Sequence, residues 1–205
     1  MEIIRYKKSD YKETIKFQEK TVAKIIQNKT DEKIIFTEHN HTYSIGPRGS
    51  LNDILYKPQD VDIIFTRRGG KVTYNGPGQL IIYPIINLSR VNKDIGKYIY
   101  LLEETILRAF LDIELIGKRT NLHPGIWINN KKIASIGIQI KKWIAFHGVA
   151  ININPNLDYF NHIIICGEPK IKMTSIHKEK IKIKRKNFEE IFLNHFLKIF
   201  NLTIF

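Results

Sequence analysis

Apolar residues recur with a helical period from Tyr11 to Ile26, where Tyr11, Ile15, Val22, Ile25 and Ile26 fall roughly on one face. Asp10 stands where a helix cap belongs, and Glu13, three residues on, completes a capping box. Asn28-Lys29-Thr30-Asp31 ends that helix. Short apolar runs then predict strands at Ile34–Thr37, Thr42–Ile45 and Val61–Phe65, the second closed by Gly46-Pro47-Arg48-Gly49. Leu80–Tyr83 opens another apolar run, which continues to Asn87. A second helix is predicted from a cap at Asp94 to Leu111, with Ile95, Tyr98, Ile99, Leu102, Ile106, Ala109 and Phe110 as its buried stripe. Asn129-Asn130 suits a hairpin turn between two strands, and Trp143–Asn154 reads as one long strand. The apolar run Ile163-Ile164-Ile165 reads as a strand end, with Cys166 at the strand-to-loop junction. A last helix is predicted from Asn187, with Glu190 as its capping-box partner. Its face of Phe188, Ile191, Phe192, Phe196, Ile199 and Phe200 is core by spacing. Helices that follow apolar strands point to an α/β chain. There is no internal repeat and no break in composition, so residues 1–205 are expected to form one domain.

Composition narrows the class. With 205 residues, 43% of them hydrophobic, the chain can bury a real core. No apolar run is long enough to span a bilayer, and Met1–Lys8 lacks the apolar stretch of a secretory signal. A soluble cytoplasmic protein is expected, with no membrane partner. The net charge is +13. Such a charge suits nucleic acid or an acidic protein, but the basic residues are spread through a chain rich in Lys, Ile and Asn. Only Lys178–Lys186 is dense. It alternates basic and apolar residues and reads as a solvated edge strand, because lysines blunt edges against aggregation. No nucleic-acid partner is expected.

The densest chemistry lies between Arg67 and Pro84. Four of the chain's twelve glycines fall between positions 69 and 78. Glycine is costly in ordered backbone, so this density marks a loop that takes unusual dihedrals or lets a ligand approach closely. A plain hairpin would need fewer special residues. The only cysteine is Cys166. An intramolecular disulfide and a thiolate metal cluster are thereby excluded. A lone cysteine is more often a small buried hydrophobe than a nucleophile. As a nucleophile it would need a nearby cation to raise its thiolate share. Lys132 is one candidate, beside the small residues Ala134, Ser135 and Gly137, and Lys131 would serve equally. Glu38-His39-Asn40-His41 has too few ligands for a metal site. No metal and no cofactor are expected, and P-loop and dinucleotide motifs are absent.

Arg68-Gly69-Gly70-x-x-Thr73-Tyr74-x-Gly76-Pro77-Gly78-Gln79-Leu80 resembles the signature of the octanoyl-carrier-protein:protein octanoyltransferases. The resemblance extends to Glu38, His39, Tyr43 and Gly46. It continues through Lys132-Ile133-Ala134-x-Ile136-Gly137, His147-Gly148-x-Ala150-x-Asn152, and Cys166-Gly167 with Thr174-Ser175. The blocks run in the family's order over about two-thirds of the chain. The resemblance implies a single mixed-sheet α/β domain with packed helices, the fold of biotin and lipoate protein ligases. It implies an acyl group held as a thioester on Cys166, with Lys132 promoting ionisation of the thiol. Arg68, Gly69, Gly70, Lys71, Val72, Thr73, Tyr74 and Asn75 would line the acyl site, with Ser135, Ile136, Gly137, Gly148, Val149 and Ala150. Octanoyl-acyl carrier protein would be the donor. Lipoyl domains of 2-oxoacid dehydrogenase E2 subunits and the glycine cleavage H protein would be the acceptors. This sequence departs from the family pattern at Asn75, usually His, and at Glu168, usually apolar and here expected to point outward.

An ATP-dependent lipoate–protein ligase is the nearest rival, since such enzymes also use a glycine loop and a lysine. They need no cysteine, and Gly-Pro-Gly-Gln with Cys166 favours the transferase. The chemistry agrees. Thioester exchange needs no ATP, and transfer to an amine is downhill because an amide is the more stable product. Both steps pass through an oxyanion that needs hydrogen-bond donors. Backbone N–H groups near Cys166 or Ser135–Gly137 are candidates.

Overall fold

The computed structural model describes residues 1–121 and 123–204. In chain order the strands are β1 (Glu2–Arg5), β2 (Lys33–Thr37), β3 (Thr42–Ile45), β4 (Asp62–Phe65), β5 (Val72–Asn75) and β6 (Gln79–Asn87). They continue with β7 (Gly125–Ile128), β8 (Lys131–Lys141), β9 (Ile144–Asn152) and β10 (Lys172–Met173). The helices are α1 (Tyr11–Ile26), α2 (Ile95–Leu111) and α3 (Arg185–Ile199). A seven-stranded mixed sheet runs β1-β2-β6-β9-β8-β10, with β7 paired to β8. A second sheet of three strands runs β4-β3-β5.

Strand β6 is apolar from Leu80 to Ile86 because both of its faces are covered. Leu80, Ile82 and Ile86 join the main core beneath α2 and α3. Ile81, Tyr83 and Ile85 join a smaller core with Val22 and Ile25 of α1. The small sheet closes over a third cluster that contains Tyr43, Val72, Tyr74, Phe160 and Ile165.

Pro84 sits mid-way along this central strand, where a missing N–H would break a ladder. It still pairs in register with Ile34 of β2. On the other side the β6–β9 ladder lapses between Ile82↔Val149 and Ile86↔Ala145. There His147 takes φ +57°, and a Cβ on Gly148 would lie 2.8 Å from Pro84 Cδ. The proline, the left-handed histidine and the glycine together make one local break in the sheet, and the backbone opens there.

Asp10 and Asp94 cap α1 and α2 through the Glu13 and Lys97 N–H groups. Glu13 does not return the bond and pairs with Lys16 instead. The buried face of α1 is more polar than its periodicity predicts, with Thr14, Gln18 and Thr21 beside Tyr11, Val22 and Ile25. Asn129 and Asn130 both take left-handed φ, as a two-residue hairpin requires. Lys142 and Trp143 do the same between β8 and β9, so β9 begins at Ile144.

Four expectations need correction. The segment 69–78 is not one loop: Val72–Asn75 is a strand, because its neighbour β3 offers an antiparallel edge. Helix α3 starts at Arg185, with Lys184 as a cap that makes no side-chain bond. Lys178–Lys186 forms no strand; Ile181 and Ile183 pack on the main core from irregular backbone, and the segment runs on into α3 at Arg185. The run ending at Cys166 is a 3-10 turn over Ile165–Gly167, not a strand end.

Candidate active site

Lys132 and Cys166 come together at the seam between the two sheets. The Lys132 Nζ donates to Cys166 Sγ at 3.5 Å. Lys132 is only 2% exposed. Burial pushes its ammonium below the ordinary lysine range, opposed by the charge and hydrogen bond of Cys166 and by Glu103. Its stem is threaded past Gly125, which takes φ +130°; a Cβ there would meet the Ala134 carbonyl and lie 2.8 Å from Lys132 Cε. The Gly125 N–H donates to Glu103 at 2.9 Å, and the Lys132 Nζ lies 5.5 Å from the Trp127 ring centre.

Cys166 itself is left-handed, with φ +55°. Such backbone costs roughly 1–2 kcal/mol in a residue with a Cβ. It turns the thiol out of the apolar run, half-buried, where Lys132 meets it. Gly167 follows at φ +80°, and a Cβ there would strike the Lys71 ammonium. Glu168 is exposed, as expected.

Arg68 is a structural clamp. Its guanidinium donates to Ser44 O at 2.5 Å, Ser44 Oγ at 2.8 Å, Gly69 O at 3.0 Å and Lys71 O at 3.0 Å. These bonds hold the backbone of 69–71 against β3, and the Gly69 N–H donates to Ile138 O at 2.8 Å. The Asn75 amide donates to Ser44 Oγ at 3.0 Å. Small residues let the elements meet: a Cβ on Gly137 would sit 3.0 Å from Gly69 O.

An inner cavity of about 590 Å³, counting its open mouth, is lined by Lys132, Cys166, Arg68–Thr73, Asn75, Ser135–Gly137 and Gly148–Ala150. Of the residues named from sequence, Tyr74 alone is not on it. Within β5, Thr73 and Asn75 share the cavity face, whereas Tyr74 turns to the opposite face, where Val72 at the cavity-side start of the strand also packs. There Tyr74 is fully buried, stacked 5.0 Å from Tyr159 and bonded to His41. Sequence reasoning missed Tyr11, Ile81, Tyr83, His147 and Ile165 as lining residues. The Pro84 within β6 and the His-Gly of β9 were the available signal, because a proline in a central strand demands a break beside it. Burial holds the His147 imidazole neutral, its pKa lowered to about 3, with Arg68 adding to the effect.

An outer cavity of about 1010 Å³, counting its mouth, meets the inner one at Gly69–Lys71, Lys132, Ile136, Gly137 and Cys166. It continues over Arg48, Ile99, His123, Pro124 and Ile138. The dyad therefore stands between two chambers. Among the described residues no cluster of three or more His, Cys, Asp or Glu could hold a metal ion. His39 is spent on Ser9 O and Tyr83 Oη.

Residues 10–197 match the family model described as the lipoyl protein ligase A/B catalytic domain. An octanoyltransferase of Rickettsia prowazekii is 39% identical over 198 residues, covering 93% of this chain and 94% of that one. Other curated relatives at 32–39% identity carry the same name. Among solved structures, a lipoate-protein ligase A bound with ATP superposes with a TM-score of 0.77 at 12% identity, covering 100% of this chain and 88% of that one. A biotin protein ligase from Aquifex aeolicus gives 0.60 at 15% identity, covering 98% and 70%. These distant likenesses establish the shared catalytic fold, and the closer sequence relatives establish the branch. The chain belongs to the lipoyl protein ligase A/B catalytic-domain family, in its octanoyltransferase branch.

Proposed function

We propose that this chain moves an octanoyl group from octanoyl-acyl carrier protein to a lysine of a lipoyl domain, through a thioester on Cys166. The observation that carries the reading is the 3.5 Å contact of Lys132 Nζ with Cys166 Sγ where two cavities meet. The name shared by the curated relatives supports it.

The sequence of steps balances. Lys132, biased by burial toward the neutral amine, takes the Cys166 proton. The thiolate attacks the donor's carbonyl carbon and an oxyanion forms. Gly70 and Lys71 line both cavities together with Cys166, and their N–H groups make no backbone hydrogen bond among the described residues. They are the donors we assign to the oxyanion. The carbon–sulfur bond of the donor breaks, and its thiolate leaves with the proton from Lys132. The acyl tail lies in the inner cavity against Ile81, Val149 and Ile165. An acceptor amine then attacks the thioester, the new amide forms, and the amine's proton returns to Cys166 by way of Lys132. The acceptors are lipoyl domains of 2-oxoacid dehydrogenase E2 subunits and the glycine cleavage H protein. The reading puts the chain in the cytoplasm with its donor, and no described helix is long and apolar enough to cross a membrane.

Intact mass tests this. Incubation with octanoyl-acyl carrier protein, without acceptor and without ATP, is expected to add one octanoyl group that hydroxylamine removes. An adduct that survives in Cys166→Ala, no adduct in the wild type, or a strict need for ATP would overturn the reading.

A further inference from the structure

Helix α2 carries a carboxylate in its buried face. Glu103 is 7% exposed and shares that face with Tyr98, Leu102, Ile106, Ala109 and Phe110. A buried charge is costly unless its oxygens find partners. The Glu103 Oε1 accepts the Gly125 N–H at 2.9 Å, and its Oε2 lies 3.3 Å from Arg119 Nε. Arg119 is shared: it donates to Glu104 Oε2 at the shorter distance of 2.6 Å. Its guanidinium also lies 4.1 Å from the Tyr100 ring centre. Gly125 is the link to the dyad, because the place of its absent Cβ lies 2.8 Å from Lys132 Cε. The titratable groups that act on Lys132 come from separate elements, Glu103 from α2 and Cys166 from the 3-10 turn, and both favour its ammonium. His123, before β7, also feels the Lys132 charge, with those of Glu168, Arg48 and Lys71. A neutral acceptor would hold the Gly125 N–H as well as a carboxylate does. The bond explains where Glu103 stands, but not why it is charged.

We infer that Glu103 is a positioning residue for acyl transfer: through Gly125 it fixes the Lys132 stem, and its charge stabilises the ammonium that forms when Lys132 takes the Cys166 proton. This deepens the octanoyl-transfer reading and rests on it. Before the proton moves, the dyad is a thiol and an amine. Afterwards it is a thiolate and an ammonium, and burial disfavours that charged state. A fixed carboxylate behind the lysine offsets the cost. The proton stops at Lys132 Nζ and does not pass to Glu103, just as the carboxylate of a serine-protease triad steadies an imidazolium without taking its proton.

Glu103→Gln separates the two roles, because its amide oxygen still accepts the Gly125 N–H while the charge is gone. Alkylation of Cys166 is followed against pH by intact mass, in variants shown by circular dichroism to be folded. In Glu103→Gln the midpoint of the profile is expected to rise by roughly 0.5 to 1 in pH. Alkylation at neutral pH then slows about 3- to 10-fold. Octanoyl transfer should lose kcat by a similar factor, with KM for the carrier-protein thioester little changed. Glu103→Asp keeps the charge and should hold the midpoint nearer to that of the wild type. Arg119→Gln releases the carboxylate from its cation and should move the midpoint the other way. It reads the same field if Glu103→Gln does not fold. A Glu103→Gln profile that overlays the wild type would overturn the inference and leave the thioester reading intact. So would a loss confined to KM, or an Arg119→Gln midpoint that does not fall. Failure of wild-type Cys166 to take an octanoyl group from the carrier-protein thioester would overturn the parent reading and this inference with it.

Discussion

Lys132 Nζ stands 3.5 Å from Cys166 Sγ although the two residues come from different elements, one on a central-sheet strand and one on a strained turn. The amine is buried at 2% exposure with no carboxylate bonded to it among the described residues. An amine so placed is a proton acceptor for the thiol more readily than a docking charge. Lys132→Met keeps most of the side-chain volume and removes the base. Octanoyl transfer is expected to fall by about 10²–10⁴-fold, and alkylation of Cys166 at neutral pH to slow. Affinity for the carrier protein should change little. Unchanged alkylation with collapsed carrier binding would move Lys132 to the partner interface.

Asn75 stands where the signature that the glycine-rich block resembles usually has histidine. Its amide is spent on Ser44 Oγ, which also takes bonds from Arg68. Asparagine does not titrate near neutrality. The position is therefore expected to supply shape and a hydrogen bond, with proton transfer left to Lys132. Asn75→His should change transfer by far less than about 10²-fold, the low end of general-base help. It should also add no new limb near pH 6.5 to the pH–rate profile. A hundredfold gain with such a limb would mean that the natural sequence has lost a base.

Gly125 has a backbone that only glycine adopts freely, and Lys132 passes where its Cβ would stand. Gly125→Ala is expected to cost about 1–3 kcal/mol of stability and to displace the Lys132 amine. Urea unfolding should report the first effect, and slowed alkylation of Cys166 in the still-folded variant the second. Normal alkylation in that variant would show that the lysine does not depend on this glycine for its place.

Two buried histidines set an acid limit. Burial lowers His39 to about 4 and His147 to about 3. In the unfolded chain both should titrate near 6.5. Between those values the unfolded state binds protons that the folded state refuses, so stability falls as pH drops below about 6.5. Above that value neither group contributes a slope. The loss should reach several kcal/mol, in order of magnitude, by about pH 4. Circular dichroism of urea unfolding at stepped pH would measure it. His147→Asn tolerates the left-handed backbone and should flatten the acid limb. An unchanged limb would place the acid sensitivity elsewhere.

The sequence by itself determined the elements whose signals are local. The caps at Asp10 and Asp94, the Asn129-Asn130 turn and the β6 run are short-range patterns, and each appears where the chain spells it. The Gly-rich block, the Lys132 strand and Cys166 carried the family resemblance that named most of the inner-cavity lining in advance, though not Tyr11, Ile81, Tyr83, His147 or Ile165. Only the tertiary structure decided what depended on partners distant in the chain. Val72–Asn75 became a strand because β3 offered an edge, and that pairing turned Tyr74 away from the cavity. Lys178–Lys186 had the alternation of a strand, but its Ile181 and Ile183 were taken up by the main core instead. Cys166 left its apolar run because the backbone turned left-handed there, bringing its thiol to Lys132. Lys131 and Lys132 were equivalent on periodicity, and the difference between them came from depth. One is buried beside the sulfur and the other is only half-covered. Burial, unlike a cap or a turn, is a property of everything packed around a residue, and no short window of sequence contains it.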